Sequence, residues 1–105
     1  MIEVNDRVGI IINTKDSTKE CFFLGYGIYE GKYIPSGDNL SKKAKLLSKE
    51  KKESCRFKLD DGNIIYATDC WFMFEERFNA VFVNDEYEEG WKIINVDIKG
   101  KRREM

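Results

Sequence analysis

The side chains that could move protons or hold a metal set the first limit on what this chain does. It contains no histidine, so the group that titrates nearest neutral pH is missing. Carboxylates stand side by side at Asp60-Asp61 and Glu75-Glu76, and paired acids are the raw material of a carboxylate-dependent hydrolase or lyase. Each pair also has a structural reading, the first in a hairpin turn and the second at a helix start. Cys21, Cys55 and Cys70 are widely spaced, with no Cys-x-x-Cys. A structural zinc site would need ligands that the chain does not supply. Cys70 follows Asp69, but no base accompanies it to activate a thiolate. Gly25-x-Gly27-x-x-x-Gly31 has the wrong spacing for a dinucleotide fingerprint. The sequence therefore assigns no catalytic residue, no metal and no cofactor, and the hydrolase or lyase stays an alternative.

Binding chemistry is better supplied. Tyr26, Tyr29 and Tyr33 recur along one strand-like stretch, and Trp71 lies in the densest apolar run. A ring left outside the core can stack on a base or on a partner's side chain. Arg56 or Lys58 on a nearby strand would then hold phosphate. Tyr26, Tyr29, Arg56, Lys58 and Trp71 are the candidate ligand site. A second set suits nucleic acid: Lys42, Lys43, Lys45 and Lys49, together with Arg102 and Arg103. Residues 41–52 hold six lysines against one glutamate, and residues 75–89 hold six acids against one arginine. Such polarity steers a polyanion to one end. The net charge of −1 and a pI near 5.6 argue against a dedicated nucleic-acid binder, and lysine-rich helix faces are commonly just solvated.

The elements that must position these residues are short. Val8–Ile12 is β-branched and reads as a central strand, apolar on both faces. Glu20–Tyr29 is a second strand, and its internal Gly25 and Gly27 imply a bulge, a bend or a close approach by another backbone. Leu40, Ala44 and Leu47 recur at helical spacing among lysines, which predicts a helical insertion over about 38–53, capped by Asp38 or Asn39. Its lysines would crowd the later turns, where the helix dipole favours them. Cys55–Leu59 and Ile64–Thr68 flank Asp60-Asp61-Gly62-Asn63, a strong hairpin signal. Asp69–Phe74 is too apolar to face water. Glu75–Phe82 reads as a short helix, Trp91–Ile98 as a last strand, and residues 99–105 as a flexible basic tail.

Five strands with one inserted helix predict a mainly β (α+β) domain over residues 1–98, a small SH3-like barrel, with an OB-like barrel as the alternative. The 105 residues suffice for one domain. No apolar run approaches the roughly 20 residues of a membrane span, and the acidic N-terminus lacks the apolar core of a secretory signal. The expected address is the cytoplasm.

Three segments together, Leu24-Gly25-Tyr26-Gly27-Ile28-Tyr29-Glu30-Gly31, Phe57-Lys58-Leu59-Asp60-Asp61-Gly62 and Cys70-Trp71, resemble a group of short, uncharacterised phage and bacterial proteins. The resemblance spans about residues 8 to 98. It departs at Phe72-Met73-Phe74, where similar sequences carry a second Trp and a Gly, and in the lysine-rich 42–52 run. It transfers no catalytic residue, but it implies a phage or prophage setting, hence the host cytoplasm. The expected activity is non-catalytic: sequestering a small nucleotide signal or blocking a host protein. A homo-oligomer is expected, because exposed aromatics on strand edges promote pairing.

Overall fold

The β-branched run becomes β1 (Arg7–Lys15), a strand buried from both sides. Val8 and Ile10 enter one apolar cluster, while Ile11 enters another on the opposite face. Residues in this computed structural model are described from 1 to 103. β2 (Glu20–Tyr33) pairs antiparallel with β1, from Lys15↔Glu20 to Arg7↔Ile28. The register slips between Ile10 and Asn13 of β1, and such bulges bend a strand and raise its twist. Gly27 has a specific task at the bend. A Cβ there would overlap the Lys58 carbonyl oxygen on the neighbouring strand, so only glycine lets the two backbones approach this closely.

That neighbour is β3 (Ser54–Leu59), antiparallel to the second half of β2. The Asp60–Asn63 hairpin joins β3 to the short β4 (Ile64–Tyr66). Inside the turn Leu59 N–H donates to the Asn63 carbonyl at 2.8 Å, and Gly62 takes a φ of 94°. β5 (Trp71–Phe74) pairs antiparallel with the other side of β1. β6 (Lys92–Asn95) runs parallel to the first half of β2, from Glu20↔Lys92 to Phe23↔Asn95.

The strands form one six-stranded sheet in the order β4-β3-β2-β1-β5, with β6 beside β2. β4 and β5 close the two ends of that path without pairing. This overturns the expected five-stranded SH3-like barrel, and the OB-like alternative falls with it: the domain is a mixed α/β sheet that stays open. The physical reason lies in the burial pattern. A small barrel encloses a single interior, whereas here both faces of the sheet carry a core. Val8, Ile10, Leu24, Tyr29, Phe57 and Leu59 fill one side. On the other, Ile11, Cys21 and Phe23 lie under Phe78 and Phe82.

Phe78 and Phe82 come from α2 (Glu75–Phe78) and the π-helical turn Asn79–Val83 that follows it. The helix expected over 75–82 thus starts as foreseen and widens after one turn. Phe78 fits against β1 because position 9 is glycine; a Cβ there would come within 2.8 Å of the Phe78 ring.

The inserted helix, α1 (Lys42–Glu50), is shorter than the 38–53 stretch foreseen. Its cap is Ser41, whose Oγ accepts from Ala44 N–H at 3.1 Å. Ala44 alone is buried within it, so the helix docks by one small residue and leaves its lysines outside. The later start places Lys42 and Lys43 in the first turn, with no acid beside them. The helix dipole disfavours positive charge there, whereas Lys49 in the last turn and Lys51 at the C-cap stand where the dipole favours it, as expected.

Residues 99–103, foreseen as flexible tail, fold back on the sheet. Asp97 Oδ1 accepts from Lys99 and Lys101 N–H, and Arg102 bridges to Val96. The last two tail residues lie outside the described residues. Among the described residues no helix is long and apolar enough to cross a membrane.

Candidate functional site

The five residues of the proposed ligand site do not meet. Tyr29 is only 6% exposed and packs at 5.6 Å from Phe57 in the first core. Tyr26 stands on the opposite face, edge-on to Phe23 and Phe78, and its hydroxyl donates to Asn79 Oδ1 at 2.6 Å. Burial and then the Glu75 charge raise its pKa. Tyr26 and Tyr29 are three residues apart, an odd step that sends strand neighbours to opposite faces. Arg56 is spoken for: its Nε donates to Glu30 at 2.9 Å and its guanidinium lies 3.6 Å over the Tyr33 ring. Lys58 is exposed on β3.

Trp71 differs from the rest. It is 61% exposed, which corrects the expectation that the whole Asp69–Phe74 stretch avoids water. Two links hold its backbone in place. Trp71 pairs with Ile11 at the start of β5, and the preceding Cys70 is buried, with Sγ 3.5 Å from the Tyr66 carbonyl. Trp71 lines an open groove of about 470 Å³ together with Ile12, Ser41, Lys42, Lys43, Ala67, Thr68, Asp69 and Cys70. Ligand pockets for small molecules start at about 300 Å³.

The groove brings together residues that the sequence assigned to separate sites: Trp71 from the ligand set, and Lys42 and Lys43 from the nucleic-acid set. Its floor was not foreseen. Thr68, Asp69 and Cys70 belong to the loop from β4 to β5, where Asp69 N–H donates to Tyr66 at 3.0 Å. The Thr68 hydroxyl oxygen is buried without a hydrogen-bond partner, the one such side-chain atom among the described residues. Among the described lining residues Asp69 is the one carboxylate, and Lys42, Lys43 and the positive end of α1 outweigh it, so the groove favours an anion.

The basic helix and the basic tail serve different hollows. Arg103 bonds Asp61 at 3.1 Å and Arg102 lies 3.8 Å from Glu20. Arg103 lines a smaller hollow of about 260 Å³ with Tyr26, Leu59, Asp60 and Asp61, which shares no wall residue with the groove. Nor does the Asp60-Asp61 pair make an acid–base couple. Arg7 grips Asp60 with two bonds of 2.7 and 2.8 Å, and this holds the Asp60 carboxyl below the usual range. The Asn63 backbone, and then Arg103, do the same for Asp61. Two carboxylates kept ionised are poor proton donors. Arg7 also reaches Glu75 at 3.7 Å. Among the described residues no group of three Cys, Asp or Glu is placed to hold a metal.

The chain matches no family model, no curated protein and no solved structure.

The thiols give a test of this geometry. Burial pushes the Cys21 thiol up to about 12, and burial, then the Asp69 charge, pushes Cys70 up to about 12. The thiolate is the reactive form, so at pH 8 both stay protonated and covered. A disulfide-exchange reagent is expected to leave Cys21 and Cys70 untouched in the folded protein, with only the half-buried Cys55 open to slow reaction. All three should react after denaturation. Fast native reaction of Cys70 would mean that the groove floor is open.

Proposed function

We propose that this chain is a non-catalytic binding protein whose groove between α1 and the start of β5 holds a small nucleotide. One observation carries the reading: an exposed tryptophan and two lysines at a helix start line one groove. Every base has a π-face, and stacking on an aromatic ring contributes about 1–3 kcal/mol. Lys42 and Lys43 supply charge for the phosphate, and the dipole of α1 adds to it. Asp69 faces the same space and can accept from a base amino group or a ribose hydroxyl.

Lysines in the first turn of a helix cost it stability, and local rules are broken in this way where function requires it. A bound phosphate relieves the repulsion. Longer nucleic acid is less well served, because Arg102 and Arg103 are engaged with Glu20 and Asp61 at the other hollow. The groove also favours holding over turnover: the Cys70 thiol is kept protonated, and Asp69 is the one carboxylate among the described lining residues. The phage or prophage setting implied by the resemblance suits a protein that sequesters a nucleotide signal in the host cytoplasm. Blocking a host protein through the exposed Trp71 belongs to the same proposal.

Calorimetric titration with nucleoside monophosphates, cyclic dinucleotides, free nucleosides and inorganic phosphate tests it. Nucleotides are expected to bind, and more tightly than either the nucleoside or the phosphate alone. Affinity should fall as salt rises, and the K42A/K43A double variant should lose most of the salt-sensitive part. Absence of binding heat with every nucleotide at low salt would overturn the reading.

A further inference from the structure

Resting on the nucleotide reading above, we infer that the groove selects guanine nucleotides, with Asp69 reading the edge of a base stacked on Trp71. Asp69 and Trp71 stand two residues apart at the entry to β5, and both line the groove. Cys70 between them is buried. Alternate residues of an extended chain share one side and lie about 7 Å apart. A carboxylate at that distance from the ring meets the edge of a stacked base, not its face. Lys42 and Lys43 come to the same groove from α1, a separate element. They serve the phosphate, which leaves Asp69 to the base.

The Asp69 side chain has no partner of its own. Its backbone N–H donates to the Tyr66 carbonyl at 3.0 Å and fixes the loop. The carboxylate makes no hydrogen bond and no ion pair among the described residues, whereas Arg7 holds Asp60 and Arg103 holds Asp61. Asp69 is also half-buried, and a polar group drawn from water costs stability until it finds a partner. An ionised carboxylate only accepts, through two oxygens that suit two donors side by side. Among the common bases guanine alone offers that pair, at N1–H and the N2 amino group. Adenine and cytosine set a ring-nitrogen acceptor beside their amino group, and uracil flanks N3–H with carbonyls. Each of these turns a lone pair toward Asp69.

Calorimetric titration of the full chain with GMP, IMP, XMP and AMP decides the matter. GMP is expected to bind about 10- to 100-fold more tightly than AMP, the discrimination of a bidentate contact. IMP, which lacks the N2 amino group, should fall between them. Asp69→Asn should weaken GMP binding and leave AMP nearly unchanged, while circular dichroism confirms that the variant is folded. An asparagine amide sets one donor beside one acceptor, which matches xanthine, so the variant should gain affinity for XMP. A merely structural role for Asp69 would lower all four affinities together, and that result would overturn the inference. So would equal binding of GMP and AMP, with the nucleotide reading left standing. Failure of all four to bind would remove both.

Discussion

Replacing Trp71 with alanine is expected to weaken nucleotide binding by about 1–3 kcal/mol, roughly 5- to 150-fold, and to leave folding almost untouched. The two halves of that expectation have separate grounds. Trp71 is 61% exposed, so truncation removes little buried area, and surface changes of this kind commonly stay within about 0.5 kcal/mol of neutral. Trp71 is also the only aromatic residue among the described residues that line the groove, so stacking has no substitute. Trp71→Phe should keep part of the affinity, because a smaller ring still presents a π-face. Calorimetry for affinity and thermal melting for stability separate the effects. A large fall in melting temperature without loss of binding would assign Trp71 to the structure and remove it from the site.

Phe78→Ala should act in the opposite way, with a loss of about 3–5 kcal/mol in stability. Phe78 is fully buried and stacks on Phe23 at 4.5 Å. It also packs at 5.2 Å against Phe82 and edge-on to Tyr26 at 5.7 Å. It is the central ring of the second core, on the face of the sheet that a closed barrel would leave to solvent. Domains of this size have roughly 5–15 kcal/mol to lose, so the melting temperature should drop by on the order of 20 °C. Gly9 makes the site less forgiving from the sheet side, because a Cβ there would meet the Phe78 ring at 2.8 Å. Urea unfolding monitored by circular dichroism measures the effect. A loss below about 1 kcal/mol would mean that the second face is not a core.

Local signals carried much of the fold, and long-range pairings did not. The hairpin at Asp60–Asn63 was legible because Gly62 meets a backbone need within four residues. The double burial of β1 was legible because Val8–Ile12 lacks alternation. The inserted helix showed in the spacing of Leu40, Ala44 and Leu47, although its start depended on Ser41 rather than Asp38 or Asn39. Closure was misread because nothing in Lys92–Asn95 says that it runs parallel to Glu20–Phe23. A parallel partner some 70 residues away leaves no local mark. Trp71–Phe74 was read as interior from its composition, yet it ends the sheet and exposes two of its four residues. The groove was half legible. Trp71, Lys42 and Lys43 each stood out by type, but their meeting depends on where α1 lies relative to the loop before β5.

The most direct measurement uses Trp71 as its own reporter. Trp91 packs edge-on against Phe82, so Trp91→Phe should leave the fold intact and Trp71 as the single indole. Titrating that variant with a nucleoside monophosphate should quench and saturate the fluorescence, with a midpoint that moves to higher concentration as salt is added. Emission that stays constant through the titration, in a variant shown to be folded, would contradict a nucleotide stacked in this groove.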